Sequence, residues 1–73
     1  MATEIVQSEI TGKVWKIVAA PGAALAEEDT IMILESMKME IPVLAPVSGT
    51  LVKLLVKEGD DVSEGQNVAE MTT

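Results

Sequence analysis

A chain of 73 residues allows one domain, and a formal charge of −7 with no arginine excludes binding to a phosphate backbone. With neither Cys nor His present, disulfides, zinc–thiolate centres, cysteine nucleophiles and histidine acid–base catalysis are all removed. No apolar segment is long enough to span a bilayer, and Met1-Ala2-Thr3-Glu4 shows no basic or apolar region of a signal peptide, so the expected location is the cytoplasm.

Apolar residues make up 48% of the chain, but Trp15 is the sole aromatic, so Ile, Leu, Val, Ala and Met must build the core. A chain of this size hides only about 60% of its surface on folding. Frequent β-branched residues favour strands. The net charge of −7 favours a soluble monomer and steers it toward basic clefts on partner proteins.

In chain order, the first feature is a repeat. Thr11 to Leu34 aligns without gaps on Ser48 to Met71, at an offset of 37 positions that places Gly12 on Gly49, Lys16 on Lys53, Gly22 on Gly59 and Glu27 on Glu64. Apolar positions correspond too: Val14 with Leu51, Ile17 with Leu54, Leu25 with Val62, Ile31 with Val68, Leu34 with Met71. Each copy opens on a Gly turn and continues in an extended run, Lys13 to Ala19 or Thr50 to Lys57. A second Gly turn follows, at Pro21-Gly22 or Glu58-Gly59-Asp60, then one isolated apolar residue, Leu25 or Val62. A last strand closes the copy, Thr30 to Glu35 or Asn67 to Met71. Alternation in Val14-Trp15-Lys16-Ile17 predicts Trp15 and Ile17 inward, unless a bulge shifts the phase. No helical stripe of useful length occurs, so the chain reads as all-β. Two copies of one β unit predict two antiparallel sheets packed face to face about a pseudo-twofold axis.

Between the copies lies Glu35-Ser36-Met37-Lys38-Met39-Glu40, entered by Ile31-Met32-Ile33-Leu34 and left by Ile41 to Leu44. Extended patterns on both sides predict a hairpin with its tip near Met37-Lys38, although no Gly, Pro, Asn or Asp marks the turn. The hairpin is expected at one end of the domain and both termini toward the other. Most lysines are solvated surface groups. A lysine between two exposed thioethers points instead to recognition.

No catalytic constellation is visible. Glu27-Glu28-Asp29 and Asp60-Asp61 read as solvated turns rather than metal or acid–base sites. Four serines, at 8, 36, 48 and 63, have no histidine to activate them, and the glycines form no phosphate loop. Any chemistry must be carried rather than performed.

A lysine in Glu-x-Met-Lys-Met on a hairpin between two β halves resembles the biotinyl domain of biotin-dependent carboxylases. Ala45-Pro46-Val47-Ser48-Gly49-Thr50 is similar to the Ala-Pro-x-x-Gly segment that follows the hairpin in that family, and Val56 to Gln66 to its Lys-Glu-Gly-Asp-x-Val-x-x-Gly-Gln segment. The likeness covers Gly12 to Met71. It implies a single biotinyl domain over 1–73. The implied fold is a flattened β-barrel (a barrel-sandwich hybrid) of two four-stranded antiparallel sheets, shared with lipoyl domains.

The resemblance further implies that a biotin protein ligase joins biotin to Lys38, with Glu35, Ser36, Met37, Met39 and Glu40 as the recognition residues. A biotin carboxylase then carboxylates the ureido nitrogen, and a carboxyltransferase passes the carboxyl group to an acyl-CoA or keto acid. The chain would be a non-catalytic carrier, monomeric, with no nucleic-acid partner and no membrane insertion.

Ser36 stands where the family more often has Ala, and Glu28 stands where the second copy has Gly65. Because Gly65 is expected at positive φ, the loop from Ala23 to Thr30 is expected to differ from that from Asp60 to Asn67. The absence of an insertion between Lys16 and Gly22 places the chain among thumbless carriers, either a free-standing subunit or an excised domain. Two other readings compete: a lipoyl carrier, whose hairpins usually show Asp-Lys-Ala, and a non-carrier interaction module on the same scaffold.

Overall fold

The computed structural model describes residues 2–73; Met1, which opens both the expected domain and the start that lacks a signal-peptide pattern, lies outside them. Eight strands follow in order: β1 (Thr3–Gln7), β2 (Gly12–Ile17), β3 (Ala24–Leu25), β4 (Thr30–Ser36), β5 (Met39–Leu44), β6 (Gly49–Leu54), β7 (Asp61–Val62) and β8 (Asn67–Thr72). They form two four-stranded sheets, ordered β1-β8-β6-β3 and β5-β4-β2-β7, in which every pairing is antiparallel. These are the two sheets expected from the repeat and the flattened barrel implied by the family resemblance, 36 Å along its longest axis. Leu25 and Val62, isolated apolar residues in the sequence, sit in the two-residue strands β3 and β7.

The repeat runs further than the sequence alignment. β1 is the counterpart of β5, and Val6 and Val43 are both buried. The core is then a set of twofold pairs: Val6 with Val43, Val14 with Leu51, Ala19 with Val56, Ile31 with Val68, Met32 with Ala69, Leu34 with Met71. Ser8, the one buried polar residue among those described, matches the buried Ala45. Its hydroxyl is satisfied locally, donating to the Ile10 carbonyl and accepting from the Ile10 N–H. At the chain ends Thr3 pairs with Thr72, and the Thr73 N–H donates to the Ala2 carbonyl at 2.9 Å. The paired termini thus occupy, in their sheet, the place that the β4–β5 hairpin occupies in the other.

Trp15 does not point inward. The β2–β4 register shifts between Val14 and Lys16, so Trp15 is the extra residue of a bulge and is half exposed. Val14 takes the buried position, and Ile17 is partly buried against the core. The same shift recurs between Leu51 and Lys53 in the second copy, leaving Val52 outward. Simple alternation through Val14-Trp15-Lys16-Ile17 therefore fails at the bulge.

The expected difference between the two Gly65-type turns is also absent. Glu28 has φ 74° and Gly65 has φ 84°. The Asp29 N–H donates to Ala26 O at 3.1 Å, as Gln66 N–H does to Ser63 O at 2.9 Å. Glu28 N–H donates to Ala45 O, as Gly65 N–H does to Ser8 O. Even the side-chain bonds repeat, since Asp29 accepts from Ala26 N–H and Gln66 from Ser63 N–H, each at 2.9 Å.

The cause is the bonding of the turn on both sides. Backbone bonds to Ala45, which continue the β4–β5 pairing past Thr30 and Leu44, and a closing side chain at Asp29 hold the loop, and together they outweigh the left-handed strain on Glu28, worth about 1–2 kcal/mol. Glu28→Gly releases that strain at a smaller backbone-entropy cost. We expect it to stabilise the chain by about 0.5–1 kcal/mol in urea denaturation. An unchanged or lower midpoint would show that Glu28 is unstrained.

Candidate functional site

The hairpin at the end of β4 and β5 has the shortest loop the fold allows. Ser36 pairs with Met39, leaving Met37 and Lys38 as the two central residues. Both have positive φ, 53° and 65°. Two-residue loops of this hand match the right-handed twist of the strands they join, and they usually contain Asn-Gly or Asp-Gly. Here neither residue is suited to the conformation, and each is strained by about 1–2 kcal/mol. The continuous register from Met32↔Val43 to Ser36↔Met39 imposes it. That ladder, against the preference of Met37 and Lys38, holds Lys38 at a defined tip rather than on a loose loop.

Met37 is 92% exposed and Met39 62% exposed, while Met32 and Met71 are fully buried. Lys38 is exposed, and among the described residues the one ion pair is Lys53 with Glu70. The side chain at the tip is therefore open to solvent. Glu35 and Glu40 lie directly opposite each other one pair below Ser36 and Met39, both exposed. Lys13 of β2 lies beside Glu35, and Asp61 of β7 beside Lys13.

Ser36 differs from the other hairpin residues in being half buried. A Cβ added at Gly12 would come within 3.4 Å of the Ser36 Cβ and 2.6 Å of the Glu35 carbonyl oxygen. β2 thus runs alongside the base of the hairpin at close backbone distance, with Gly12 facing Ser36. Glu27-Glu28-Asp29 is a turn in which Asp29 accepts from Ala26 N–H, while Asp60 closes a turn by accepting from Lys57 N–H and Asp61 opens β7.

A chain with this repeat and this hairpin matches the family described as biotin-requiring enzyme over residues 1–71. It belongs to that biotin/lipoyl attachment family. It is 42% identical over 66 residues to a biotinylated protein TB7.3 homolog of Mycobacterium leprae, covering 90% of this chain and 93% of that protein. Its structure is similar to part of the Kluyveromyces lactis urea carboxylase, with a TM-score of 0.93 and 42% identity over 99% of this chain and 6% of the carboxylase. The lipoyl domain of the 2-oxoglutarate dehydrogenase complex from Azotobacter vinelandii is less similar, at 28% identity and TM-score 0.72 over 86% of this chain and 80% of that domain.

Proposed function

We propose that the chain is a single-domain biotin carboxyl carrier, modified on Lys38. The observation that carries this reading is the open Lys38 amine on a strained two-residue tip between Met37 and Met39. The site suits biotin attachment: an exposed primary amine for an amide bond, with two flexible apolar side chains able to enter shallow pockets of a ligase. When bound, biotin supplies a ureido nitrogen that takes up and gives up a carboxyl group. The residues of this chain place that group. The β4–β5 ladder fixes the tip, Gly12 and Ser36 let β2 brace its base, and the tether raises the local concentration of the group at each partner. A biotin protein ligase, a biotin carboxylase and a carboxyltransferase are the partners this requires. The chain itself remains non-catalytic.

Lipoyl attachment uses the same scaffold, so the cofactor must be chosen by the side chains beside the lysine. Asp at position 37 would place a charge next to the target amine, and burying it unpaired in an apolar pocket costs several kcal/mol. The test is to offer both ligases and both cofactors and to locate the modification by peptide mass spectrometry. The wild type gains one biotinyl group at Lys38 and no lipoyl group. Met37→Asp with Met39→Ala loses most of its biotinylation. Efficient lipoylation of the wild type with no biotin at Lys38 overturns the carboxylase reading and leaves the fold intact.

A further inference from the structure

The twofold repeat gives each surface position an internal counterpart, so the two outer sheet faces can be compared residue by residue. On the sheet without the hairpin, Thr3, Thr72 and Thr50 form an uncharged row. The matching row on the hairpin sheet is Glu40, Glu35 and Lys13, continued by Asp61, all exposed. One step further from the tip, the first sheet places Ile5 opposite Glu70, which is ion-paired with Lys53 at 3.2 Å. The hairpin sheet places Pro42, Ile33 and Lys16 there, with isoleucine where the other face has a carboxylate. Beside them the bulge turns Trp15 outward, 50% exposed, where the other face has Val52.

One fold thus carries two different faces. The plainer one carries threonines, a closed ion pair and the exposed aliphatic Ile5 and Val52, with no aromatic residue. The other exposes the chain's one aromatic residue beside Pro42 and Ile33, in a row ended by Lys16, with Glu35 and Glu40 between that row and Lys38. We infer that this outer face of β5-β4-β2-β7, centred on Trp15, Ile33 and Pro42 and bordered by Asp61, Glu35 and Glu40, docks the biotin carboxylase component. This rests on the carrier reading above.

Tryptophan exposed among apolar neighbours is the residue type that anchors protein interfaces. The partner surface is then an apolar hollow rimmed by lysine or arginine, since the carboxylates between hollow and tip need cations opposite them. A carboxylase that takes two anions, ATP and bicarbonate, must be basic around its cleft, so pairing its rim with the Glu35–Glu40 row brings Lys38 to that cleft. A second copy of the chain is disfavoured as the occupant, because each copy carries −7.

The test begins with intact mass, to verify one biotin at Lys38 on chain carrying 5-fluorotryptophan at position 15. This holo-chain is titrated with the purified biotin carboxylase component of an acyl-coenzyme A carboxylase and followed by 19F NMR. The single resonance shifts or broadens, and the effect fades as salt is raised from low ionic strength. In steady-state assays with the chain as substrate, Trp15→Lys raises KM about tenfold, Trp15→Phe restores most of the loss, and the twofold-related Val52→Lys, with the same charge change, leaves KM unchanged.

An unmoved 19F resonance at carboxylase concentrations that saturate turnover, or equal KM effects of Trp15→Lys and Val52→Lys, overturns the docking face and leaves the carrier reading standing. Slower biotin ligation with unchanged KM for carboxylation assigns the face to the ligase and overturns the inference. Self-association of the free chain that Trp15→Lys abolishes also overturns it. Absence of biotin at Lys38 in the first step overturns the carrier reading, and the inference falls with it.

Discussion

Lys38→Ala abolishes biotin incorporation and every carboxylation that depends on it, while the folded chain stays as stable as the wild type to within about 0.5 kcal/mol. For a domain of this size that is a shift in melting temperature of about 2–4 °C. The separation follows from the geometry. Lys38 is exposed at the tip, is in no ion pair among the described residues, and keeps the same left-handed backbone when truncated to Ala. Lys38→Arg keeps the charge but not the acylable amine, so it also takes up no biotin, which separates the loss of a nucleophile from the loss of a cation. Melting curves and intact masses of the three proteins check the prediction together. A fall of 10 °C in Lys38→Ala would make the lysine structural and remove the presentation argument.

Large stability losses are expected at two glycines outside the apolar core. Gly12→Ala and Gly49→Ala each destabilise the chain by about 3 kcal/mol, a drop of about 15 °C in melting temperature. Total stability for a domain of this length is only about 4–11 kcal/mol. A Cβ on Gly12 meets the Glu35 carbonyl oxygen at 2.6 Å, and one on Gly49 collides with the Thr72 carbonyl oxygen. Neither obstacle is a side-chain end that can swing away. Positive φ plays no part at these positions. The glycines are needed for close approach of β2 to β4 and of β6 to β8.

The two variants differ in function. Gly12→Ala displaces the backbone at the base of the hairpin, so biotinylation slows even below the melting temperature. Gly49→Ala acts on the sheet without the hairpin, and its folded fraction is biotinylated at the normal rate. Urea denaturation gives the stabilities, and ligation at 15 °C gives the rates. A loss below 1 kcal/mol at both sites would show that the strands do not approach this closely.

Much of this architecture was written in local pattern. The matched glycines and apolar columns, Gly12 on Gly49 and Leu34 on Met71, set a two-copy all-β domain because each copy must bury the same face against the other. Two extended runs joined at Met37-Lys38 set a hairpin with its lysine outward, and the motifs around it pointed to the family. The tertiary structure decided what no local rule could. Trp15 faces outward because a bulge breaks the period of two, and a bulge depends on how β2 registers with β4. Glu28 adopts the turn of Gly65 because hydrogen bonds to Ala45, beyond the end of the β4–β5 ladder, fix the loop, and this long-range bonding exceeds the residue's own preference. Met37 and Lys38 take positive φ without Gly or Asn because the twist of β4 and β5 demands it. Sequence carries periodicity and composition; register, twist and long-range hydrogen bonding arise only once distant strands meet.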